Sequence, residues 1–329
     1  MLLYILSMIR IYLLICVFAS ISLFVGISLA IFDIHDASYN LSSINQDSDE
    51  SGITFLDGWL VYSSSCRFNG TGGWDLWAVS INNVFPKNDI YSYGLNSKGL
   101  IISDKNVSLL ISVIDTDYNE ASPSYCPLSK KLYFHSNRPK GEGLEDIYEA
   151  SIIVSDKKGV IVKSVENIGG PINTPFIEAC PFISEDGKLI IFSSDRTGGY
   201  GGLDLWFSMK NIDGWSEPIN MGPLINTQGN EKFPYLTDIG LFWASDGRED
   251  SKSFDIYFTT DYLGGNSPVI RLPSPINSQF NDWGLTLYKD KYIVWSSDRP
   301  FGAGGIDFLY IEIPELRPDI MDIIMSLLD

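Results

Sequence analysis

Ten acidic residues in this 329-residue chain recur at matched places in a repeated pattern, and they are its main chemical resource. Five of them, Glu50, Glu120, Glu178, Glu231 and Asp282, each follow a short Ile-Asn or Ile-Asp element by a few residues. The other five, Asp75, Asp146, Asp204, Asp255 and Asp307, each stand nine residues after the second member of a Ser-x pair. Those pairs begin at Ser65, Ser136, Ser194, Ser245 and Ser297. Carboxylates collected from several copies of one unit could hold a divalent cation such as calcium, or receive a cationic ligand. Two or three of them with separate roles could cleave a glycosidic bond. Other catalytic material is sparse. The two histidines, His35 and His135, leave little scope for a His-based triad or a His-rich metal site, and there is no Gly-x-Ser-x-Gly elbow. Of four cysteines, Cys16 lies in an apolar leader, which leaves Cys66, Cys126 and Cys180 without a C-x-x-C pair. Free buried thiols are expected, with one bridge left open if the domain is exported.

The elements that carry these acids are short strands. Before each Ser lies a β-rich run, such as Trp59-Leu60-Val61-Tyr62 or Leu189-Ile190-Ile191-Phe192, and after each Asp comes another, such as Ile256-Tyr257-Phe258. A Gly-rich connection joins them, clearest in Thr197-Gly198-Gly199-Tyr200-Gly201-Gly202. Strand, glycine loop and strand make a hairpin with a long connection. The Ile-Asn elements sit at Ile44-Asn45, Ile114-Asp115, Ile172-Asn173, Ile225-Asn226 and Ile276-Asn277. Residues Glu120 to Asn137 align with Glu178 to Asp195 without a gap. Asp-to-Asp periods of 71, 58, 51 and 52 residues each accommodate four short strands, the size of a propeller blade. The longest period points to an insertion within residues 80–112. The sequence therefore predicts an all-β fold, a single five-bladed β-propeller of four-stranded blades over residues 31–313. The last copy stops after its third strand, and Tyr39-Asn40-Leu41-Ser42-Ser43-Ile44-Asn45 resembles Ile219–Asn226. The N-terminal segment is thus expected to supply the outer strand of the last blade. Residues 314–329 carry Ile320, Ile323, Ile324 and Leu327 at helical spacing after Pro318, which predicts a short C-terminal helix.

The run Trp215-Ser216-Glu217-Pro218-Ile219-Asn220-Met221-Gly222, then Ile225-Asn226-Thr227, Glu231 and Ser245-Asp246, resembles the WD40-like repeat of TolB-type propellers. It is especially similar to the version found in bacterial envelope proteins that are often fused to OmpA-like peptidoglycan-binding domains. The resemblance covers residues 31–313 and implies a binding propeller of the cell envelope. Two departures stand out. No OmpA-like domain follows the repeats, and TolB has six blades where five are counted here.

In a four-stranded blade the loop entering the innermost strand and the loop between strands two and three emerge on one face. Both motifs therefore collect on the same face of the disc. The acids Glu50, Glu120, Glu178, Glu231 and Asp282 would then either ring the channel mouth or pair with Arg67, Arg138, Arg196 and Arg299 to fasten the blades. Recurrence in every copy favours fastening. The Asp75 series is expected to accept turn amide hydrogens at the ends of the glycine loops. Specific recognition is expected where copies differ. Cys66, Trp74 and His135 break the repeat, and Phe68, Tyr200 and Phe301 occupy loop tips on the candidate binding face, where contact with a protein or glycan and packing between blades both stay open.

Residues 11–27 carry no charge, follow Arg10, and precede Ser28-Leu29-Ala30, the pattern of a secretory signal. Cleavage after Ala30 and retention as a transmembrane anchor through residues 11–30 both stay open. Either way the rest of the chain leaves the cytoplasm, for the periplasm or the cell envelope. A formal charge of −18 repels a phosphate backbone and argues against nucleic acid. The expectation is a non-catalytic propeller that binds an envelope protein or a cell-wall or glycan component, needs no cofactor, and touches the membrane through its N-terminal segment if that is uncleaved. A five-bladed glycoside hydrolase or lyase is the alternative.

Overall fold

The computed structural model describes residues 39–40, 44–45, 48–65, 73–81, 84, 107–109, 114–155, 159–251, 253–263, 267–289, 291–300, 302 and 304–313. The leader, Cys66, Arg67, Phe68, Phe301 and the C-terminal helix expected from the sequence lie outside them. Within these residues the chain forms five antiparallel sheets. The first consists of strands Glu50–Leu56, Trp59–Ser65, Trp74–Ser80 and Val107–Leu109. The second runs Glu120–Cys126, Lys131–Ser136, Asp146–Ser155 and Gly159–Asn167. The third is Glu178–Ile183, Leu189–Ser194, Asp204–Asn211 and Ile219–Asn220, with Gly214–Trp215 as an added two-residue strand. The fourth comprises Glu231–Leu236, Leu241–Ser245, Asp255–Thr259 and Ile270–Arg271. The fifth has Asp282–Tyr288, Tyr292–Ser297 and Asp307–Glu312, and its outer strand is Tyr39–Asn40.

That last pairing closes the ring: Tyr39 lies opposite Tyr310 and Asn40 opposite Leu309. Ile219–Asn220 does the same work inside the third blade, with Asn220 opposite Trp206. Closure covers a sheet edge that would otherwise offer unpaired backbone groups.

The second strand of each blade is buried on both faces, which is why its sequence reads as a continuous apolar run rather than an alternating one. Leu60, Val61 and Tyr62 are all 0% exposed, and Ile190, Ile191 and Phe192 likewise. The core is divided into five apolar clusters, each spanning two adjacent blades. Into each cluster goes one isoleucine of an Ile-Asn element: Ile44, Ile114, Ile276, Ile172 and Ile225 in turn, all fully buried. Each such burial contributes about 1.5–3 kcal/mol, so the first residue of the element is a wedge between blades.

Every innermost strand carries a β-bulge two residues after its opening acid, seen as a register shift against the second strand. The bulged residues are Gly52, Ser122, Cys180, Phe233 and Gly284, with φ between 49° and 65°. At Gly52 a side chain would also collide, since a Cβ would sit 2.9 Å from Ser122 Cα in the next blade. Ser122, Cys180 and Phe233 hold the left-handed conformation without glycine's freedom, each at a cost of about 1–2 kcal/mol.

Candidate functional site

The five repeated acids open the five innermost strands, and each is 0% exposed. Their partners come mostly from two fixed places. One is the Thr or Ser four residues upstream, and the other is the Ser that ends the second strand. Glu120 Oε2 accepts the Thr116 amide at 2.8 Å, and its Oε1 accepts Thr116 Oγ1 and Ser136 Oγ, both at 2.7 Å. Glu178 accepts the Thr174 amide at 2.8 Å, Thr174 Oγ1 at 2.5 Å and Ser194 Oγ at 3.0 Å. Glu231 repeats the set with Thr227 and Ser245, and Asp282 accepts the amide and hydroxyl of Ser278. In the first blade Ser48 and Ser64 donate to Glu50. Among the described residues, three guanidinium groups meet these acids: Arg138 at 3.1 Å from Glu120, Arg196 at 3.0 Å from Glu178 and Arg299 at 2.9 Å from Asp282. Burial raises the carboxyls of Glu178, Glu231 and Asp282 above the usual range, and these hydrogen bonds pull the other way.

The arginines are themselves built in. Arg138 lies over Phe134 and Tyr148, Arg196 over Phe192 and Trp206, and Arg248 over Trp243 and Tyr257. Each also donates to a carbonyl of the preceding Ile-Asn element or its neighbour, as Arg299 does to Pro275 and Ile276. Acid, Ser, Arg and Ile-Asn loop therefore form one fastening at the entry to a blade. Such a carboxylate has little capacity left for a ligand.

The later acids close the glycine loops. Asp146 accepts the amides of Glu142 and Gly143, and Asp204 those of Tyr200 and Gly201. Asp307 accepts the Gly304 amide, while Asp255 pairs with Arg271 at 2.7 Å. The densest acid cluster among the described residues joins Asp75, Asp115 and Glu120, one oxygen of each lying within 4.8 Å of the others. Arg138 already supplies a counter-charge there through Glu120.

The channel's cavity lies away from these acids. It encloses about 260 Å³, and its lining begins at the bulged residues Gly52, Ser122, Cys180, Phe233 and Gly284. From there it runs along the inner strands to Asp57, Glu185 and Leu236 at their far ends. The wall presents polar and apolar surface in near-equal measure, with Phe55, Phe182 and Tyr235 among its aromatics, and Asp57 and Glu185 are its carboxylates. Asp57 lies 3.3 Å from Lys130. Sequence reasoning passed over the bulge that shapes this wall. The signal was present: the copies without glycine at that position, the second, third and fourth, have proline next, at Pro123, Pro181 and Pro234.

His135 departs from the small residues that the strand register places at its position in other blades, Ser63, Ser193, Ala244 and Ser296, and in the first blade the same register puts Ser64, not Ser65, at the place of the repeat serine. Its Nδ1 accepts the Cys180 amide at 3.3 Å, much as Ser63 Oγ accepts the Ser122 amide at 2.9 Å. Burial holds His135 below its usual range; nearby Glu145 opposes that and Lys232 adds to it. Cys126 and Cys180 are free buried thiols, and burial raises that of Cys180. Among the described residues, the exposed apolar side chains on the face bearing the acid loops are Tyr118, Leu144, Phe176 and Tyr200. Leu144 and Phe176 are held side by side by a hydrogen bond from the Leu144 amide to the Phe176 carbonyl at 3.2 Å. Among the described residues no helix is long and apolar enough to cross a membrane.

No protein-family model and no curated protein matches this sequence. Solved structures do resemble it. TolB from Acinetobacter baumannii is similar at 16% identity and a TM-score of 0.41, over 76% of this chain and 52% of that one. The chain thus spans about half the length of that TolB structure. Native Bacillus subtilis arabinanase Arb43A is similar at 12% identity and a TM-score of 0.48, over 82% of this chain and 94% of that one. Trypanosoma rangeli sialidase bound to the inhibitor DANA is similar at 9% identity and a TM-score of 0.44, over 85% and 57%. These likenesses are of fold alone, and on its own strand pairings the chain is a five-bladed β-propeller.

Proposed function

We propose that this chain is a non-catalytic binding propeller of the bacterial cell envelope, exported by its apolar leader, whose partner is an envelope protein or a cell-wall or glycan component. The observation that carries this reading is the fate of the repeated carboxylates. All five are sealed and engaged inside their blades, so the residues best placed by the repeat for acid–base chemistry are structural. Recognition then falls to side chains that differ between blades. Tyr118, Leu144, Phe176 and Tyr200 form the contact surface, and the surrounding acidity selects a partner with basic or neutral polar groups.

The test is affinity capture from a bacterial envelope extract with the purified propeller, alongside a Tyr118→Ser/Phe176→Ser/Tyr200→Ser triple variant. Capture of an envelope component by the parent and its loss in the correctly folded variant is the expected result. Turnover of a plant or bacterial polysaccharide, abolished by Asp57→Asn or Glu185→Gln at the cavity's outer end, would overturn the reading in favour of a glycoside hydrolase. Mass spectrometry of the N-terminus in the native host distinguishes a cleaved leader from a retained anchor.

A further inference from the structure

The Asn of each Ile-Asn element makes the same pair of backbone hydrogen bonds around the ring. Its side-chain oxygen accepts the amide of the residue after the repeat Asp, and its side-chain nitrogen donates to the carbonyl of that same residue. Asn173 does this with Ile147 at 2.9 and 2.8 Å, and Asn226 with Leu205 at 2.7 and 3.0 Å. Asn277 does it with Ile256 at 2.8 Å both ways, and Asn45 with Phe308 at 2.9 and 2.8 Å. These four amides clamp the incoming loop onto the third strand of the blade it leaves.

The remaining copy, second in the chain, carries Asp115. Its Oδ1 accepts the Leu76 amide at 3.1 Å, so the side chain sits as its asparagine counterparts do. Its Oδ2 therefore takes the place of the donating nitrogen, toward the Leu76 carbonyl. That atom is buried and has no hydrogen-bond partner among the described residues. Two acceptors facing each other in a buried site repel unless a proton lies between them. Among the described residues the charged groups around Asp115 are Asp75 on the third strand, Glu120 at the head of the next blade, and Arg138 beside Glu120. Arg138 is committed to Glu120 and to the Ile114 carbonyl.

We propose that Asp115 is a protonated carboxylic acid that donates to the Leu76 carbonyl, a latch between the first and second blades that opens as its proton is lost. The same environment raises its carboxyl to about 7, chiefly through burial, so the opening falls near neutral pH. The loop it holds also carries exposed Tyr118. Alkaline conditions therefore loosen one edge of the exposed apolar face, whatever that face binds.

Asp115→Asn restores the amide used in the other four blades and removes the titration. Melting temperatures of parent and variant at about pH 5 and about pH 8 test the latch. The variant is expected to match the parent within a few degrees at the lower pH and to exceed it by roughly 5 °C or more at the higher. The protection factor of the Leu76 amide, its exchange rate taken relative to the intrinsic base-catalysed rate at each pH, is expected to fall in the parent alone as pH rises through about 7. An equal pH response in both proteins would sink the proposal. So would a parent stabilised by added calcium or magnesium beside a variant that is weaker at both pH values, because the carboxylate would then be charged and holding a cation.

Discussion

Arg196 and Glu178 meet inside the third blade with Nη2 of one 3.0 Å from Oε1 of the other, the first 9% and the second 0% exposed. The pair ties the blade's first strand to the loop after its second, and Arg196 also reaches back to the Ile172 carbonyl. Removing the acid strands a buried guanidinium. Glu178→Ala is therefore expected to cost about 3–5 kcal/mol in denaturant unfolding. Pairing it with Arg196→Met should recover part of that loss, and strictly additive losses would contradict the coupling.

Glycines 52 and 58 both have positive φ, yet only the first is crowded. At Gly58 nothing lies within 4 Å of an added Cβ, so Gly58→Ala bears conformational strain alone, about 1 kcal/mol. At Gly52 the Cβ meets backbone of the neighbouring blade at 2.9 Å, and Gly52→Ala is expected to cost at least about 2 kcal/mol more. Equal losses for the two variants would show that the blades yield at the bulge.

His135 is buried neutral, with its folded pKa lowered. The stability it contributes is present above the unfolded value of about 6.5 and is lost as pH falls through the folded one. His135→Ser is expected to be less stable than the parent at about pH 7.5, with the gap narrowing at about pH 5. Glu178, Glu231 and Asp282 act in the opposite sense, since their raised carboxyls favour the fold at lower pH, and comparing two variants at each pH cancels them. A gap that widens at low pH would show that His135 is charged in the fold.

Cys126 and Cys180 are both buried, and Cys180 donates no exposed thiolate to solvent because burial raises its pKa. Neither is expected to react with a thiol reagent in the native protein at neutral pH, and both should react on unfolding. Peptide mapping after labelling assigns the two sites, and native labelling of Cys180 would mean that the channel wall opens.

Much of this architecture was legible in the sequence because the repeat reports its own geometry. The second strands, buried on both faces, spell out Leu189-Ile190-Ile191-Phe192, and the likeness of Tyr39–Asn45 to Ile219–Asn226 located the closing strand. Less legible was anything that depends on a neighbouring blade. The Ile-Asn element could be seen to recur, but its division into an inter-blade wedge and a backbone clamp required the third strand beside it. The bulge that lines the cavity is written as Gly in two copies and as a following Pro in three, a shared conformation without a shared letter. For the same reason Ile114-Asp115 stood in the sequence as one more copy of the element, and the difference Asp makes there depends on the third strand beside it.

The pairing of Tyr39 with Tyr310 has a consequence for how this chain comes to be folded. Tyr39–Asn40 is synthesised long before Asp307–Glu312, the strand it must pair with, so the fifth blade stays without its outer strand until both are present. Blades one to four can gather in order, each resting on the one before, but the final contact joins segments far apart in the sequence and bears the full entropy of closing so long a loop. The ring is therefore assembled by its ends, and a truncation inside residues 307–312 should leave a propeller with an open side rather than a smaller one.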